Sequence, residues 1–248
     1  MHRFFIAVDE IDDNLIEIDR QQSHHMEKVL RLKTGDKVIL FDGRGNEYTC
    51  ILCSRRNDAL LAKIESSRYH PNEPSVSVTL AQAIAKGEKM EYIIKKAVEI
   101  GASAIIPFVS ERTVVTLDEK KALHKTGRWQ ALARETCKQC RRNTIPLIKP
   151  VVSLNLLLPE LQDKRAIMLH EGEDRNSLKA VIKEFKSIAP LQDIGILVGP
   201  EGGFTPREVE AARKHSVIPA GLGPRILRTE TAGLVAISII LYEGGDLG

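Results

Sequence analysis

Several features are missing from this 248-residue chain, and each absence removes a class of function. No stretch approaches ~18 uninterrupted apolar residues, so no helical membrane span is expected. The start, "MHRFFIAVDEID", lacks the basic, then apolar, then small layout of a secretory signal, and a cytoplasmic protein is expected. No GxGxxG follows the first strand of the α/β region, which argues against a dinucleotide oxidoreductase. Cysteine is scarce, with four residues in two pairs, Cys50/Cys53 and Cys137/Cys140. Two CxxC pairs resemble a structural zinc site on paper. However, "EYTCILCS" reads as a strand, where residues three apart point to opposite faces and cannot grip one metal. Cys137 and Cys140 share a face of an expected helix, but the other ligands are missing and more than eighty residues separate the pairs. Free thiols in a reducing compartment, and no metal, are expected.

What is present is charge, unevenly spread. The net charge is +3. Met1 to Asn72 carries 11 basic and 12 acidic side chains, whereas Lys86 to Lys149 carries 14 against 7. The densest part, "RETCKQCRRN", places Arg134, Lys138, Arg141 and Arg142 within about two helical turns. Any one of these reads most simply as a solvated residue. Together they form a stripe suited to phosphate contacts and tilt the balance toward a nucleic-acid partner.

The first seventy residues read as a compact β-barrel or sandwich. Short β-prone runs lie at Arg3 to Val8, Lys37 to Gly43, "EYTCILCS" and Ala59 to Ser67, with "GRGN" (Gly43 to Asn46) as a hairpin turn. A helical turn is expected at "SHHMEKVLRL", capped by Ser23, with Met26, Val29 and Leu30 on one face. The proline-bearing "YHPNEPS" (Tyr69 to Ser75) marks a linker, giving domains 1–72 and 73–248. Beyond it strands alternate with helices. Strands are expected near Val76 to Ala81, Ala104 to Phe108, Ala166 to His170, Ile194 to Val198 and Val217 to Ala220. Helices are expected at Lys89 to Ile100, Asp118 to Arg142, Ser177 to Lys186, Pro206 to Lys214 and Glu230 to Tyr242. Gly101 suits the end of the first helix, and Thr205-Pro206-Arg207-Glu208 forms a capping box. Five βα units imply a mostly parallel sheet covered by helices, with ligands beyond the C-terminal strand ends.

Three loops fall at that edge. "ILVGPEGGFTPREVEAARK" empties an apolar strand into a glycine-rich turn. Such turns commonly hold phosphate. This one has no Lys-Ser/Thr pair, and Glu201 would repel an anion. "AGLGPRILRTETAG" (Ala220 to Gly233) and "LHEGEDRN" (Leu169 to Asn176) accompany it. The helix after the second loop, "TAGLVAISIILY", is apolar nearly all round and must be buried inside the domain or against a second subunit.

Taken with "KGEKMEYIIKKAVEIGASAIIPFVSERTVV", these loops resemble the SPOUT class of methyltransferases, and within it the RsmE family of 16S ribosomal RNA uridine-N3 methyltransferases. The likeness runs from "HRFF" through "HHMEKVLRLKTGD" and "RWQALARETCKQCRRN" to the last helix. It implies a PUA-like β-barrel followed by a trefoil-knotted α/β domain, an S-adenosylmethionine site in the knot and a homodimer. A bent cofactor bearing an ammonium and a sulfonium suits a loop that contains Glu201. By resemblance, Gly199, Glu201, Gly202 and Gly203 line one wall, Leu222, Gly223, Ile226, Leu227 and Arg228 a second, and Leu169, His170 and Glu171 a third. RNA contacts are expected at Arg3, His25, Arg31, Lys86 and Lys89 within the matched segments, and along the basic stripe.

The ring nitrogen of neutral uracil holds a proton and is a poor nucleophile. The enzyme must therefore align nitrogen, methyl and sulfur, exclude water and favour the deprotonated base. Alignment is worth up to ~7–11 kcal/mol in the best intramolecular models, and a positioned base adds ~10²–10⁴-fold. Arg112, Arg142 and Arg228 are candidates for stabilising the uracil anion, with Glu135 and Glu171 as candidate bases. For Arg112 a structural ion pair is an equal alternative. A 2′-O-ribose methyltransferase of the same class is the nearest competitor, but its Asn-x-Gly entry motif has no counterpart between Ser75 and Glu91. A non-catalytic RNA-binding module is the alternative from another class. The expected substrate is 16S rRNA or the small ribosomal subunit, held across both domains.

Overall fold

The computed structural model describes residues 1–7, 14–69, 72–115, 117–162 and 164–247. Val8 of the first expected strand, and His70 and Pro71 of the expected linker, lie outside the described residues. The chain divides into two compact units, one of Met1–Glu73 with Cys137–Ile145, the other of Pro74–Thr136 with Pro146–Gly248.

In the first unit the order is β1 (His2–Phe5), β2 (Leu15–Ile18), α1 (Arg20–His24), a π-helical turn at His25–Val29, β3 (Lys37–Phe41), β4 (Asn46–Arg56) and β5 (Ala59–Tyr69). The strands pair as β1-β3-β4-β5-β2, with β1 parallel to β3 and the rest antiparallel. Alternation drives this arrangement. Val38 and Leu40 on β3, Ile16 and Ile18 on β2 and Leu52 on β4 turn inward onto Phe4 and Met26. Each such burial stabilises by about 1.5–3 kcal/mol. The Gly43 to Asn46 turn is held by Asp42, whose Oδ1 accepts from the N–H groups of Arg44 at 2.8 Å and Asn46 at 3.1 Å.

The helical turn departs from expectation in two ways. Asp19, not Ser23, is the cap, accepting from Gln22 N at 2.9 Å. The Ser23 hydroxyl is buried instead, donating to Ile18 O and accepting from Leu60 N, each at 2.9 Å, so it ties the helix to β2 and β5. Val29 is 62% exposed although Met26 is fully buried. The π-type bond from Leu30 N to His25 O widens the turn, so residues three apart no longer share a face.

The second unit runs β6 (Ser77–Ala83), α2 (Lys89–Ile100), β7 (Ala104–Val109), α3 (Glu119–Cys140), β8 (Leu147–Ile148), β9 (Val152–Ser153), α4 (Leu154–Leu161), β10 (Arg165–Leu169), α5 (Leu178–Ile188), β11 (Asp193–Val198), α6 (Pro206–Lys214), β12 (Ile218–Ala220) and α7 (Thr229–Gly244). From Cys137 onward α3 is grouped with the first unit. Every strand pair is parallel, in the order β12-β10-β11-β6-β7-β8 with β9 also on β7. All five expected βα strands are present; β8, β9 and α4 are additional. The strand alternation sorts the helices between the two faces. Ala81, Ala83, Met168 and Leu197 pack with Leu157 and Leu158 of α4 and Ala212 of α6. The alternate residues Leu80 and Val198 meet α7 at Gly233. Helix α7 thus buries Ala236, Ile237, Ile240 and Leu241 inside the unit, while Ile239 and Tyr242 stay exposed.

Candidate active site

Because β11 inserts between β6 and β10, the carboxyl ends of β6, β10, β11 and β12 lie along one edge of the sheet. The loops leaving β10, β11 and β12 enclose a cavity of about 610 Å³ there, within the usual range for a small-molecule site. Gly199, Pro200, Glu201 and Gly203 form one wall. Leu222, Gly223, Ile226, Leu227 and Arg228 form the second, and Leu169, His170 and Glu171 the third.

Each loop has a physical reason for its path. Gly203 takes φ +66°, a left-handed conformation that side chains resist. The turn closes through Gly203 N to Pro200 O at 2.9 Å. Beyond it the expected capping box is present, with Thr205 Oγ1 accepting from Glu208 N and Glu208 Oε2 accepting from Thr205 N. Glu208 Oε1 also accepts from Glu111 N at 2.8 Å, tying the loop after β7 to the glycine loop. The Phe204 ring lies parallel to Phe108 of β7, with centroids 6.3 Å apart. The β10 and β12 loops dock through Gly221, whose N–H donates to Asn176 O and whose carbonyl accepts from Leu178 N. A Cβ at Gly221 would sit 2.7 Å from Glu173 O, so only glycine permits that approach.

The wall charges are mostly negative. Glu171, Glu173, Asp174, Glu201 and Glu230 face Lys89, Arg225 and Arg228. Glu173 is structural, bridging Arg213 at 2.8 Å and accepting from the N–H groups of Arg175 and Asn176. Lys89 lies between Glu201 at 3.5 Å and Glu230 at 3.2 Å. Burial alone would raise the Glu201 carboxyl, but its own N–H, that of Lys86 and the Lys89 ammonium outweigh this and hold it below its ordinary value. Glu230 Oε2 is buried, with the Lys89 ammonium as its ion-pair partner. A carboxylate-rich hollow faced by the aliphatic Leu222, Ile226 and Leu227 suits a ligand that is cationic at one end and flat and apolar at the other.

The expected site residues divide accordingly. Eleven of the twelve expected cofactor contacts line the cavity; Gly202 does not, and its carbonyl accepts from Arg112 Nη1 at 2.8 Å. Arg228 and Glu171 are at the cavity; Arg112 reaches it only through Gly202, and Glu135 lies exposed on α3. Arg142 is in the first unit and buried at 5% exposure, with Nη2 2.8 Å and Nε 3.1 Å from Glu73 Oε2. This differs from the expected surface stripe, because a buried guanidinium facing a carboxylate has no face left for a phosphate. Arg3 differs in the same way. Its guanidinium pairs with Glu47 and Asn143 and lies 4.4 Å over the Phe41 ring. His25, Arg31, Lys86 and Arg141 are exposed, with Arg134 and Lys138 half-buried on α3. Lys89, expected to meet RNA, lines the cavity. Thr229 and Glu230, at the start of α7, were not anticipated as wall residues although "RTETAG" carried them.

Among the described residues none of the four cysteines forms a disulfide; Cys50 and Cys137 are buried, Cys53 and Cys140 half-buried. Burial pushes the Cys50 and Cys137 thiols up to about 12.

Comparison with known proteins agrees with this arrangement. A family model described as an RNA methyltransferase domain matches residues 71–241, and one described as an RNA methyltransferase PUA domain matches residues 18–65. Ribosomal RNA small subunit methyltransferase E of Bacillus subtilis is 36% identical, the match covering 98% of this chain and 97% of that protein. The crystal structure of the enzyme of the same name from Neisseria gonorrhoeae, bound to S-adenosyl methionine, superposes with a TM-score of 0.85 at 29% identity, covering 98% of both chains. A methyltransferase from Legionella pneumophila in complex with bound SAM superposes with a TM-score of 0.84 at 30% identity over 97% of each chain. From the three-loop cavity, the parallel sheet that carries it and these full-length matches, the chain belongs to the ribosomal RNA small subunit methyltransferase E family of RNA methyltransferases.

Proposed function

We propose that the chain, as a homodimer, transfers a methyl group from S-adenosylmethionine to N3 of a uridine in 16S ribosomal RNA. The observation that carries this is the carboxylate-rich cavity of about 610 Å³ closed by three loops at the sheet edge. Two solved relatives whose cofactor is S-adenosylmethionine support the choice of donor. When bound, that molecule supplies a methyl group already activated by a positive sulfur. Leu222, Ile226 and Leu227 offer apolar faces for its adenine, and backbone groups of the 199–203 and 222–228 loops offer donors and acceptors for the adenine edge. Glu201, Glu230 and Glu171 supply the negative field that favours its charged end. Arg228, at the cavity and exposed, stabilises the uracil anion, and Glu171 receives the N3 proton. Arg112 is a strut that fixes the Gly202 carbonyl.

Apolar exposure supports the dimer. The packed pair α2 and α7 leaves Tyr92, Ile239 and Tyr242 exposed, the kind of surface a second copy covers. The exposed Lys86, His25, Arg31 and Arg141 are the RNA contacts of this reading. No helix among the described residues is long and apolar enough to cross a membrane. A ribosomal substrate supports a cytoplasmic location.

Digestion of 16S rRNA from a strain lacking the gene, followed by mass spectrometry, tests the reaction. Loss of one 3-methyluridine, restored by the gene, is expected. Loss of a 2′-O-methylated ribose with 3-methyluridine intact would replace this reading by the ribose methyltransferase. Absence of S-adenosylmethionine binding by calorimetry would leave only an RNA-binding module.

A further inference from the structure

We propose that Gln82 is a positioning residue for the methyl-donor cavity, acting through Thr229 on the carbonyl of Gly199; the inference rests on reading that cavity as the S-adenosylmethionine site. Gln82 does not line the cavity, whereas Thr229 and Gly199 do. It is completely buried near the end of β6, in register with Val198, the last residue of β11 before the glycine loop. A long amide inside an apolar sheet layer needs a reason.

The hydrogen bonds supply one. Thr229 Oγ1 lies 2.6 Å from Gly199 O and 2.9 Å from Gln82 Nε2. A carbonyl cannot donate, so the single hydroxyl proton of Thr229 goes to Gly199 O. The hydroxyl must then accept from Gln82, which fixes the amide with its NH₂ toward Thr229. The second amide hydrogen goes to Ala83 O at 3.1 Å. Both donors are in use, and Gln82 Oε1 is left buried with no partner. The desolvation of that orphan acceptor offsets the two bonds made by Nε2, so the side chain contributes little net stability. The fold therefore retains a buried polar group that brings it little stability, and the group's other end holds two cavity walls together. Gly199 begins the β11 loop, and Thr229 is the first residue of α7 after the β12 loop. Their link sets the spacing between the wall expected to face the cationic end and the wall expected to face the adenine. Displacement of about 1 Å at a site of this kind costs up to ~10²-fold in rate.

The test uses the full-length chain and the variants Gln82→Leu, Thr229→Val, the two combined, and Thr229→Ser. Calorimetry gives the dissociation constant of S-adenosylmethionine, steady-state assays give KM for donor and RNA separately, and thermal melting gives stability. Gln82→Leu and Thr229→Val are each expected to raise the dissociation constant and the donor KM by about tenfold or more. KM for RNA stays unchanged. The double variant is no worse than the weaker single one, because one residue acts through the other. Thr229→Ser, which keeps the hydroxyl, stays within about threefold of the parent, and Gln82→Leu keeps its melting temperature because the orphan acceptor leaves with the donor. Binding within twofold of the parent in either single variant, additive losses in the double, or failure of both single variants to fold overturns the proposal. A parent protein that binds no S-adenosylmethionine instead removes the reading beneath it, and is seen before any variant is made.

Discussion

Replacing Arg142 by Ala separates a structural arginine from an RNA-binding one. Glu73 Oε2 meets Arg142 Nη2 at 2.8 Å and Nε at 3.1 Å, while Oε1 accepts from the N–H groups of Asn143 and Thr144 at 2.9 Å each. The two side chains are only 6% and 11% exposed, so solvent screens the pair little. Removing one partner of a buried ion pair costs about 3–5 kcal/mol, mainly because the other charge stays buried. Glu73 keeps its two backbone donors, which places the expected loss near the lower end, about 3 kcal/mol. In a unit of this size, at about 4–8 °C per kcal/mol, the melting transition should fall by roughly 12–24 °C. Arg141→Ala, at the exposed neighbour, should shift it by no more than a few degrees. The readouts are a thermal melt followed by circular dichroism and, below the transition, RNA affinity against salt concentration. Arg141→Ala should reduce the salt slope by about 0.7–1, and Arg142→Ala should leave it unchanged. An Arg142→Ala protein that melts within about 3 °C of the parent and loses salt dependence would refute the reasoning and return this arginine to the phosphate stripe.

The remaining expectations concern the cavity and the thiols. Gly203→Val forces a β-branched residue into φ +66°, at a cost of about 1–2 kcal/mol, and should weaken S-adenosylmethionine binding several-fold by calorimetry while the protein stays folded. Arg112→Ala removes the donor to Gly202 O; with the side chain exposed, the expected loss in donor affinity is tenfold or less, and a ten-thousandfold fall in kcat alone would make Arg112 catalytic. Cys50 carries a folded-state value of about 12 against an ordinary 9.0. Below pH 9 both states hold the proton. As pH rises from 9 toward 12 the unfolded chain releases it first, so stability falls, and Cys50→Ala should show a shallower fall in urea midpoint across that window. Tyr242→Glu places a charge on the exposed part of α7 and, if the proposed dimer forms through this face, should shift sedimentation from dimer to monomer; an unchanged dimer would exclude the face.

Local chemistry explains which parts of this structure were legible in the sequence. Helices α2 and α6 run as expected, because Gly101 and the Thr205 box act within a few residues of the ends they set. The β10, β11 and β12 loops could be recognised from glycines beside carboxylates, a pattern confined to each loop. By contrast, β8 and β9 are two residues each, too short for any period to show. The π-helical turn shifted Val29 outward through a backbone bonding pattern that leaves no mark in composition. That Arg3 and Arg142 lie inside depends on Glu47 and Glu73, which are 44 and 69 residues away in the chain. A count of charges cannot reveal such partners. Gln82 was invisible for the same reason, since its partner Thr229 lies 147 residues on.

The segment Cys137–Ile145 belongs to the first unit although it is made long after the rest of it. Gly45 N donates to Asn143 O, Ile145 N donates to Gly43 O, and Asn143 and Thr144 satisfy Glu73. On a ribosome adding about 5–20 residues per second, the amino-terminal sheet therefore waits on the order of ten seconds for its last piece. A gene fragment ending at Glu73 would encode an unfinished module with a stranded carboxylate, so this half cannot be excised by a single cut.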